Sequence, residues 1–353
     1  MESSRADLSR PSRQFRRRTL MYTALASVAV VGGTAAGTVY VKAQAHSGTS
    51  AVSSVTPSAS SSVSSSSSSS SSGLAAASAA ANGETSVEPV AKPTVDHDDV
   101  LADAMKSVSV EDSAVVSAAV LDPDSGESAS YGDGAFDTAS IVKVDILATL
   151  LLQAQDSDRH LTAQEKSYAT SMIENSDNAS ASALWRIIGK ANGLDAANER
   201  LGLTDTEGGD DMLWGLTQTT AADQLTLLQQ VFGDDSELSE ASRTYLQGLM
   251  GQIAVDQHWG VSAAADGSGW ALKNGWLPRS TTGLWDINSI GRVTVAGHDY
   301  LVAVLSKGNS TRAKGISLAE AAARAAVSVF AGDGASASAS ASASASASAT
   351  VSP

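Results

Sequence analysis

One serine and lysine pair in the chain has a spacing that could support nucleophilic catalysis. In "DTASIVKVDILATLL", residues 137–151, Ser140 precedes Lys143 by three residues at the start of a predicted helix. Residues at i and i+3 share a helix face, and the surrounding apolar residues predict that this helix is buried. Burial disfavours the charged form of a lysine and lowers its pKa. A neutral amine beside a hydroxyl is a general base that can activate the serine.

The same spacing also has a purely structural explanation. Ser140 could serve only as a helix cap, with Lys143 extending its charged end to the surface. Chance often supplies the pattern S-x-x-K, although Lys143 alone among the nine lysines has a serine three positions before it. The pair is therefore ambiguous without other polar motifs.

Two such motifs follow further along the chain. Ser176-Asp177-Asn178 occurs once, between two predicted helices, and Lys273-Asn274-Gly275 lies at the end of a predicted strand. Taken singly, the first could be a helix cap or turn, and the second a tight Asn-Gly turn. In this order, on helix, loop and strand, the three motifs resemble the serine-acylation set of the class A β-lactamase and penicillin-binding protein superfamily. The resemblance covers nearly all of residues 97–332.

The resemblance implies three catalytic residues and a set of substrate-binding residues. Ser140 would be the nucleophile, Lys143 its base, and Ser176 the group that relays a proton to the leaving nitrogen. The substrate-binding residues would be Asn178, Lys273, Asn274, Gly275 and Trp276.

Each of these binding residues has an implied task. Asn178 would bind the amide side chain of the substrate, and Lys273 would hold a carboxylate and support Ser176 electrostatically. Gly275 would let the substrate lie along the strand edge. The backbone N–H groups of Ser140 and Trp276 would form the oxyanion hole.

The sequence departs from the family pattern at two places. Class A β-lactamases carry an E-x-x-L-N motif whose glutamate activates the deacylating water, and residues 202–218 contain no such motif. Glu207 is the only glutamate there, and the other acidic residues are expected to be solvated: Asp205, Asp210 and Asp211. Asn274 replaces the usual threonine or serine, although its amide can still donate a hydrogen bond. We therefore expect intact acylation chemistry without fast hydrolysis of a β-lactam acyl-enzyme.

The order of predicted elements indicates a mixed α/β fold of the α+β type. Two strands, over 114–122 and 127–134, precede a block of helices that ends near residue 253. Three strands over 269–308 and a closing helix over 316–330 follow. This order predicts a β-lactamase-like antiparallel sheet flanked by helices, with an inserted helical subdomain. A cleft between the sheet and the helical block is the expected place for a site.

Low-complexity segments bound this folded domain. Residues 46–95 are rich in serine and alanine and are predicted to be a disordered linker, because they offer little apolar surface to bury. Residues 333–353 repeat alanine and serine and are predicted to be a disordered tail. The folded domain is therefore expected over 97–332.

The first 45 residues have the pattern of an export signal or membrane anchor. Six arginines lie within residues 1–18, and residues 19–41 carry no charge. Ala43-Gln44-Ala45 has the small-x-small form of a cleavage site, and the uncharged run is also long enough to span a bilayer. The segment is therefore either cleaved after Ala45 or kept as one N-terminal membrane helix. Both alternatives place the rest of the chain outside the cytoplasm.

Composition excludes several classes of partner and site. The formal net charge of −15 argues against nucleic acid as a partner. There is no cysteine, and the five histidines lack metal-ligand spacing. We therefore expect no metal and no cofactor, and a small-molecule or peptide substrate.

The sequence thus predicts an exported serine hydrolase acting through a Ser140 acyl-enzyme on a β-lactam or a cell-wall-type amide. The alternatives are a catalytically weak domain that binds penicillin or wall peptide, and a D-alanyl carboxypeptidase-like enzyme. The α/β-hydrolases are poorly supported, because the chain has no G-x-S-x-G motif.

Overall fold

A five-stranded antiparallel sheet forms the centre of the computed structural model, which describes the backbone of residues 95–347 and the side chains of residues 95–331. The strands, in chain order, are β1 (Val115–Leu121), β2 (Ser128–Tyr131), β3 (Phe136–Asp137), β4 (Gln218–Thr219), β5 (Trp270–Pro278), β6 (Trp285–Val295) and β7 (His298–Asn309). The order in the large sheet is β2-β1-β7-β6-β5, and β3 pairs with β4 separately. β5 therefore lies at one edge of the sheet.

Helices cover both faces of the sheet. Within the described residues they are α1 (His97–Met105), α2 (Val142–Asp156), α3 (Ala163–Glu174), α4 (Asn178–Ile187), α5 (Lys190–Leu201), α6 (Ala221–Phe232), α7 (Glu240–Met250) and α8 (Arg312–Ala347). α1 and α8 share one hydrophobic core with the sheet, and the helices from α2 to α7 share the other. The chain thus leaves the sheet after β2, builds a helical region and returns at β5. The predicted fold class is confirmed.

Side-chain alternation in β7 explains why both faces of the sheet are buried. Leu301, Ala303 and Leu305 face the helical block. Val302 and Val304 face α8 instead. Because successive side chains of a strand point to opposite faces, a continuous apolar run such as "LVAVL" is typical of a strand that is covered on both sides. Each large buried aliphatic side chain contributes about 1.5–3 kcal/mol.

The Ser-Asp-Asn loop is fixed by the helices on either side of it. α3 begins with the predicted capping box, in which Thr162 Oγ1 accepts from Glu165 N at 3.2 Å and Glu165 Oε2 accepts from Thr162 N at 2.7 Å. α4 begins after Asp177, whose carboxylate accepts from Ser180 N at 2.7 Å. Because both helices pack on the core, the loop between them has a defined position.

Two features of the chain differ from the predicted elements. β3 and β4 have only two residues each, and a strand this short shows no recognisable alternation of apolar and polar residues in the sequence. The backbone of α8 is helical as far as Ala347, although we predicted a disordered tail over 333–353. Alanine has the highest helix propensity, and a helix that is already nucleated gains one hydrogen bond for each residue added.

The predicted export segment over 1–45 lies outside the described residues, as does the linker over 46–95 except for its last residue. Among the described residues, no helix combines the length and apolar character needed to cross a bilayer.

A buried carboxyl group on α2 should make stability depend on pH. Asp145 is 1% exposed; its Oδ2 accepts from Asn198 Nδ2 at 3.2 Å, and its Oδ1 has no partner among the described residues. Burial raises the pKa of Asp145 to about 7, above its value in the unfolded chain. Between about pH 4 and 7 the folded protein therefore binds more protons than the unfolded chain, so stability falls as pH rises through this window.

Asp145→Asn should remove this contribution, because the amide keeps the size of the side chain without its charge. We expect the variant to gain at most about 4 kcal/mol in free energy of unfolding at pH 8, and much less at pH 5. Urea denaturation of both proteins at the two pH values measures the difference. An equal gain at both pH values would contradict a neutral buried Asp145.

Candidate active site

The candidate nucleophile lies in a strained turn. Ser140 is the middle residue of a 3-10 turn, Ala139–Ile141, directly before α2. Ala139 has a φ of +48°, in the left-handed region that non-glycine residues rarely adopt. Such strain persists where the surroundings hold it, and here Asn288 Nδ2 donates to the carbonyl oxygens of Asp137 at 2.9 Å and Thr138 at 3.0 Å. The sheet thus fixes the turn that presents Ser140.

An ion pair ties the same segment to the edge strand. Arg279, which follows β5, pairs with the Asp137 carboxylate and lies 3.7 Å from Asp286 Oδ2. Gln218 of β4 also donates to Asp137. The chain just before Ser140 is therefore connected to β4, to β6 and to the end of β5.

Lys143 is completely buried and bonds to the Ser-Asp-Asn loop. Its Nζ lies 2.6 Å from Ser176 O, 3.0 Å from Ser176 Oγ and 2.8 Å from Asn178 Oδ1. Desolvation lowers the pKa of Lys143 to about 7, and the negative charge of Asp177 opposes this only in part. A fall from 10.5 to about 7 corresponds to ~5 kcal/mol of penalty on the charged form. The structure thus buries this amine, which is the physical cause from which we expected a low pKa.

The expected contact between Lys143 and Ser140 is not formed in this state. Among the described residues, Ser140 Oγ is not one of the hydrogen-bond partners of Lys143 Nζ. A charged amine has three N–H donors and no acceptor, so the three bonds to residues 176 and 178 suit the charged form. Once neutral, the amine has a lone pair that can accept the Ser140 proton.

A second buried lysine shares the same hydroxyl group. Lys273 Nζ lies 3.1 Å from Ser176 Oγ and 2.9 Å from the carbonyl oxygen of Asn274. Desolvation lowers the pKa of Lys273 well below its usual value, and the charge of Lys143 adds to the effect. Repulsion between the two amines favours states in which one of them is neutral. Ser176 Oγ, in contact with both, can pass a proton between this pair and a bound group.

Gly275 brings the edge strand against the Ser140 turn. A Cβ at this position would lie 2.7 Å from Thr138 O, 2.9 Å from Ser140 N and 3.0 Å from Ile141 N. These are backbone atoms of the turn that holds the nucleophile. Only glycine lets the two backbones approach so closely.

Two of the predicted binding side chains lie on the face of β5 opposite Lys273. Asn274 is completely buried, and its Nδ2 donates to the carbonyl oxygens of Gln257 at 2.8 Å and Trp259 at 3.0 Å. Because side chains alternate along a strand, it faces the side opposite Lys273, which corrects our expectation that its amide would donate to substrate. The indole of Trp276 contacts Trp259 edge to face at 6.1 Å, so only its backbone lies beside the turn.

The acidic residues of segment 202–218 do not reach Lys143. Glu207 is exposed, and its backbone pairs with Gln218 at 2.9 Å in both directions. The remaining acids of the segment are also exposed, as expected of solvated loop residues: Asp205, Asp210 and Asp211. Within the described part of the chain, no Asp or Glu side chain accepts a hydrogen bond from Lys143, and no group of three or more His, Asp or Glu residues could hold a metal ion.

Trp214 is the site residue that the sequence did not reveal. Its ring lies over Lys143, with Nζ 5.0 Å from the ring centroid, and its Nε1 donates to Ser182 Oγ at 3.1 Å. A cation–π contact of this kind contributes about 0.5–2 kcal/mol, less than the desolvation of the amine. The only signal in the sequence was a large aromatic residue within a stretch rich in glycine and aspartate.

Comparisons with known proteins agree with this geometry. The model of the beta-lactamase enzyme family matches residues 161–330. No curated protein sequence matches the chain.

Solved structures share the fold at low sequence identity. The TLA-1 extended-spectrum β-lactamase superposes with a TM-score of 0.58 at 15% identity, over 67% of this chain and 98% of that one. PBP-A gives a TM-score of 0.56 at 20% identity, over 66% and 96%. A class A β-lactamase from Bacteroides cellulosilyticus gives a TM-score of 0.58 at 15% identity, over 68% of this chain and 100% of that one. The chain therefore shares the fold of class A β-lactamases and PBP-A, and the β-lactamase enzyme family model matches residues 161–330 of its folded domain.

Proposed function

We propose that the protein is an exported serine hydrolase that forms an acyl-enzyme at Ser140 and releases it slowly. The observation that carries this proposal is the buried Lys143, which has a pKa near neutrality and lies one helical turn from Ser140. A base whose pKa is close to the working pH is the most effective proton acceptor.

The residues of the site account for each proton of the acylation step. Ser140 Oγ attacks the substrate carbonyl carbon while Lys143 Nζ accepts the hydroxyl proton. The backbone N–H groups of Ser140 and Trp276 stabilise the oxyanion. When the bond to the leaving nitrogen breaks, the proton passes from Lys143 through Ser176 Oγ, 3.0 Å away, to that nitrogen.

The substrate class is inferred from the two buried amines beside Ser176, those of Lys143 and Lys273. A carboxylate bound next to Lys273 would favour the charged form of this amine, so the site suits a substrate that carries a carboxylate. A β-lactam and a wall peptide that ends in D-alanine both have a carboxylate near the bond to be broken. A variant of PBP-A, 19% identical to this chain, has been captured as its acyl-enzyme with penicillin G.

A binding domain of low catalytic activity is the second candidate. It is favoured by the absence of a Lys143–Ser140 hydrogen bond among the described residues and by Asn274, whose amide donates to backbone carbonyl oxygens of the protein. Such a domain would hold penicillin or wall peptide at the same site without a covalent bond. A D-alanyl carboxypeptidase-like enzyme would instead release D-alanine as the leaving group of acylation and then hydrolyse the acyl-enzyme.

Covalent labelling with a fluorescent penicillin separates these functions. We expect the intact domain to be labelled and Ser140→Ala to remain unlabelled, with Ser268→Ala, an exposed serine outside the site, labelled like the wild type. Unlabelled wild-type protein that still binds the drug reversibly would support the binding domain. Release of D-alanine from a wall pentapeptide would identify the carboxypeptidase.

Export is part of the proposal and rests on the segment over 1–45. Its arginines and uncharged run favour insertion with the folded domain outside the cytoplasm. Mass determination of the mature N-terminus distinguishes cleavage after Ala45 from retention of residues 19–41 as an anchor. Intact chain in the cytoplasmic fraction would contradict export.

A further inference from the structure

Segment 202–218 covers Lys143 with an aromatic ring. Trp214 opens a 3-10 turn, Trp214–Leu216, and its ring centroid lies 5.0 Å from Lys143 Nζ. The Nε1–H bond to Ser182 Oγ on α4 fixes the ring in this place. The next residue, Gly215, packs beside Ala139: a Cβ added to Gly215 would lie 3.9 Å from Ala139 Cα. The ring therefore lies between α4 and the turn that presents the nucleophile.

The ring lies beside an amine whose hydrogen bonds are all made with the Ser-Asp-Asn loop. The other contacts of Nζ are all with Ser176 and Asn178, and the lysine is completely buried. An indole face has no lone pair with which to orient a water molecule, since the one polar atom of Trp214 is a donor directed at Ser182. A water molecule beside the amine would have to displace this ring.

Hydrolysis of an acyl-enzyme needs such a water molecule. After acylation Lys143 has passed its proton through Ser176 to the leaving nitrogen, so its amine is neutral again. It could then take a proton from water, whose oxygen would attack the acyl carbonyl carbon as Ser140 Oγ leaves and recovers the proton. Within the described residues, the acidic residues of segment 202–218 are all exposed, and none of them accepts a hydrogen bond from Lys143.

We propose that Trp214 is a water-excluding lid over Lys143, which favours acylation of Ser140 and retards hydrolysis of the acyl-enzyme. This inference rests on the proposed acylation at Ser140. Trp214 acts through Lys143 and is a positioning residue. Exclusion of water keeps the Lys143 amine neutral for acylation of Ser140. It also keeps away the water molecule that hydrolysis of the acyl-enzyme needs as its nucleophile.

The alternative is that Trp214 only fills space, since it also packs against the hydrophobic core. A filling role would change stability but neither the titration of Lys143 nor the lifetime of an adduct. The pH profile of acylation and the lifetime therefore distinguish the two roles.

The test compares Trp214→Ala with Trp214→Phe, which keeps an aromatic face, and with Leu213→Ala as a matched control. Leu213 is the neighbouring residue, 54% exposed, and its truncation leaves Lys143 covered. Acylation by a fluorescent penicillin is measured from pH 5 to 10, and the lifetime of the adduct by intact mass. For Trp214→Ala we expect the midpoint of the pH profile to rise by about one unit or more, which is about tenfold slower acylation below the midpoint.

We also expect the adduct of Trp214→Ala to hydrolyse about tenfold faster or more, while Trp214→Phe and Leu213→Ala behave like the wild type. Thermal unfolding checks that each variant is folded. If Trp214→Ala does not fold, Trp214→His, whose smaller ring carries hydrogen-bonding nitrogens, should shift both quantities in the same direction. A folded Trp214→Ala protein with the wild-type pH profile of acylation and the wild-type adduct lifetime would contradict the proposal that Trp214 is a lid. It would leave the proposed acylation at Ser140 intact.

A substrate-independent measurement separates failure of the lid from failure of the proposed function. The ¹³C-labelled lysine side chains are titrated by NMR, and Lys143→Met identifies the signal of Lys143. If the wild type forms no adduct, the proposed function fails. An upward shift of the Lys143 midpoint in Trp214→Ala would still support water exclusion, and an unchanged midpoint would overturn it.

Discussion

Lys143→Met is expected to reduce the rate of Ser140 acylation by about 10²–10⁴-fold, the usual contribution of a positioned general base. The thioether side chain has nearly the length of lysine but cannot accept a proton. The variant should also be more stable by about 1–3 kcal/mol, because it removes a buried amine whose charged form is penalised by desolvation. Of the residues that lose a bond to Lys143, Asn178 is exposed and can bond to water, and Ser176 Oγ keeps its bond to Lys273 Nζ at 3.1 Å.

The pH dependence of both effects has a defined sign. Acylation by the wild type should rise as pH increases through about 7, because only neutral Lys143 accepts the proton. The unfolded chain keeps this lysine charged up to about pH 10.5, so it binds more protons than the folded protein between about pH 7 and 10.5. Wild-type stability should therefore rise with pH through that window, and Lys143→Met should show a smaller slope.

Kinetics with a fluorescent penicillin and urea denaturation at pH 7 and 9 measure both quantities. Lys143→Arg serves as a control for charge, since arginine stays protonated in proteins and should be inactive without any gain in stability. Acylation of Lys143→Met at the wild-type rate would show that another group is the base.

Gly275→Ala is expected to reduce acylation by about 10²-fold or more. The added methyl group would meet three backbone atoms at 2.7–3.0 Å, all in the turn that holds Ser140. Backbone in a turn that is already strained cannot yield without moving the nucleophile, and a displacement of about 1 Å can cost that much in rate. Overpacking of this kind also costs about 1–3 kcal/mol of stability.

Gly248→Ala is the matched control for this substitution. Gly248 lies within α7, is exposed, and has no atom within 4 Å of an added Cβ. Gly248→Ala should leave the acylation rate unchanged. It should raise the free energy of unfolding by about 0.5–1 kcal/mol, because alanine is the better helix former. Thermal unfolding and the acylation rate constant are measured for both variants. Equal rates for Gly275→Ala and the wild type would show that the edge strand is not held against the turn.

Local patterns in the sequence predicted most of the fold and the burial of the helix that carries Lys143. The apolar stretch around Lys143 indicated a buried helix, and the structure confirms that the lysine is completely buried. The capping box at Thr162 marked the start of α3. Each of these features depends on residues three or four positions apart, so the sequence pattern contains the information.

Other features depend on contacts between distant segments. Trp214 lies 71 positions after Lys143, and nothing in its own neighbourhood shows that its ring covers the amine. The direction of Asn274 depends on the carbonyl oxygens of Gln257 and Trp259, which accept both of its N–H groups. We predicted from the sequence that both Lys273 and Asn274 lie at the substrate; side chains alternate along β5, so only one of the two can reach Ser176, and that one is Lys273.

The most direct test of Ser140 acylation is intact-mass spectrometry of the folded domain, residues 97–332, during incubation with a penicillin. Ser140→Ala is the parallel control. We predict an increase equal to the mass of the drug, which persists over time in the wild type and never forms in Ser140→Ala. A wild-type mass that stays unchanged at every time, with the drug intact, would contradict acylation at Ser140.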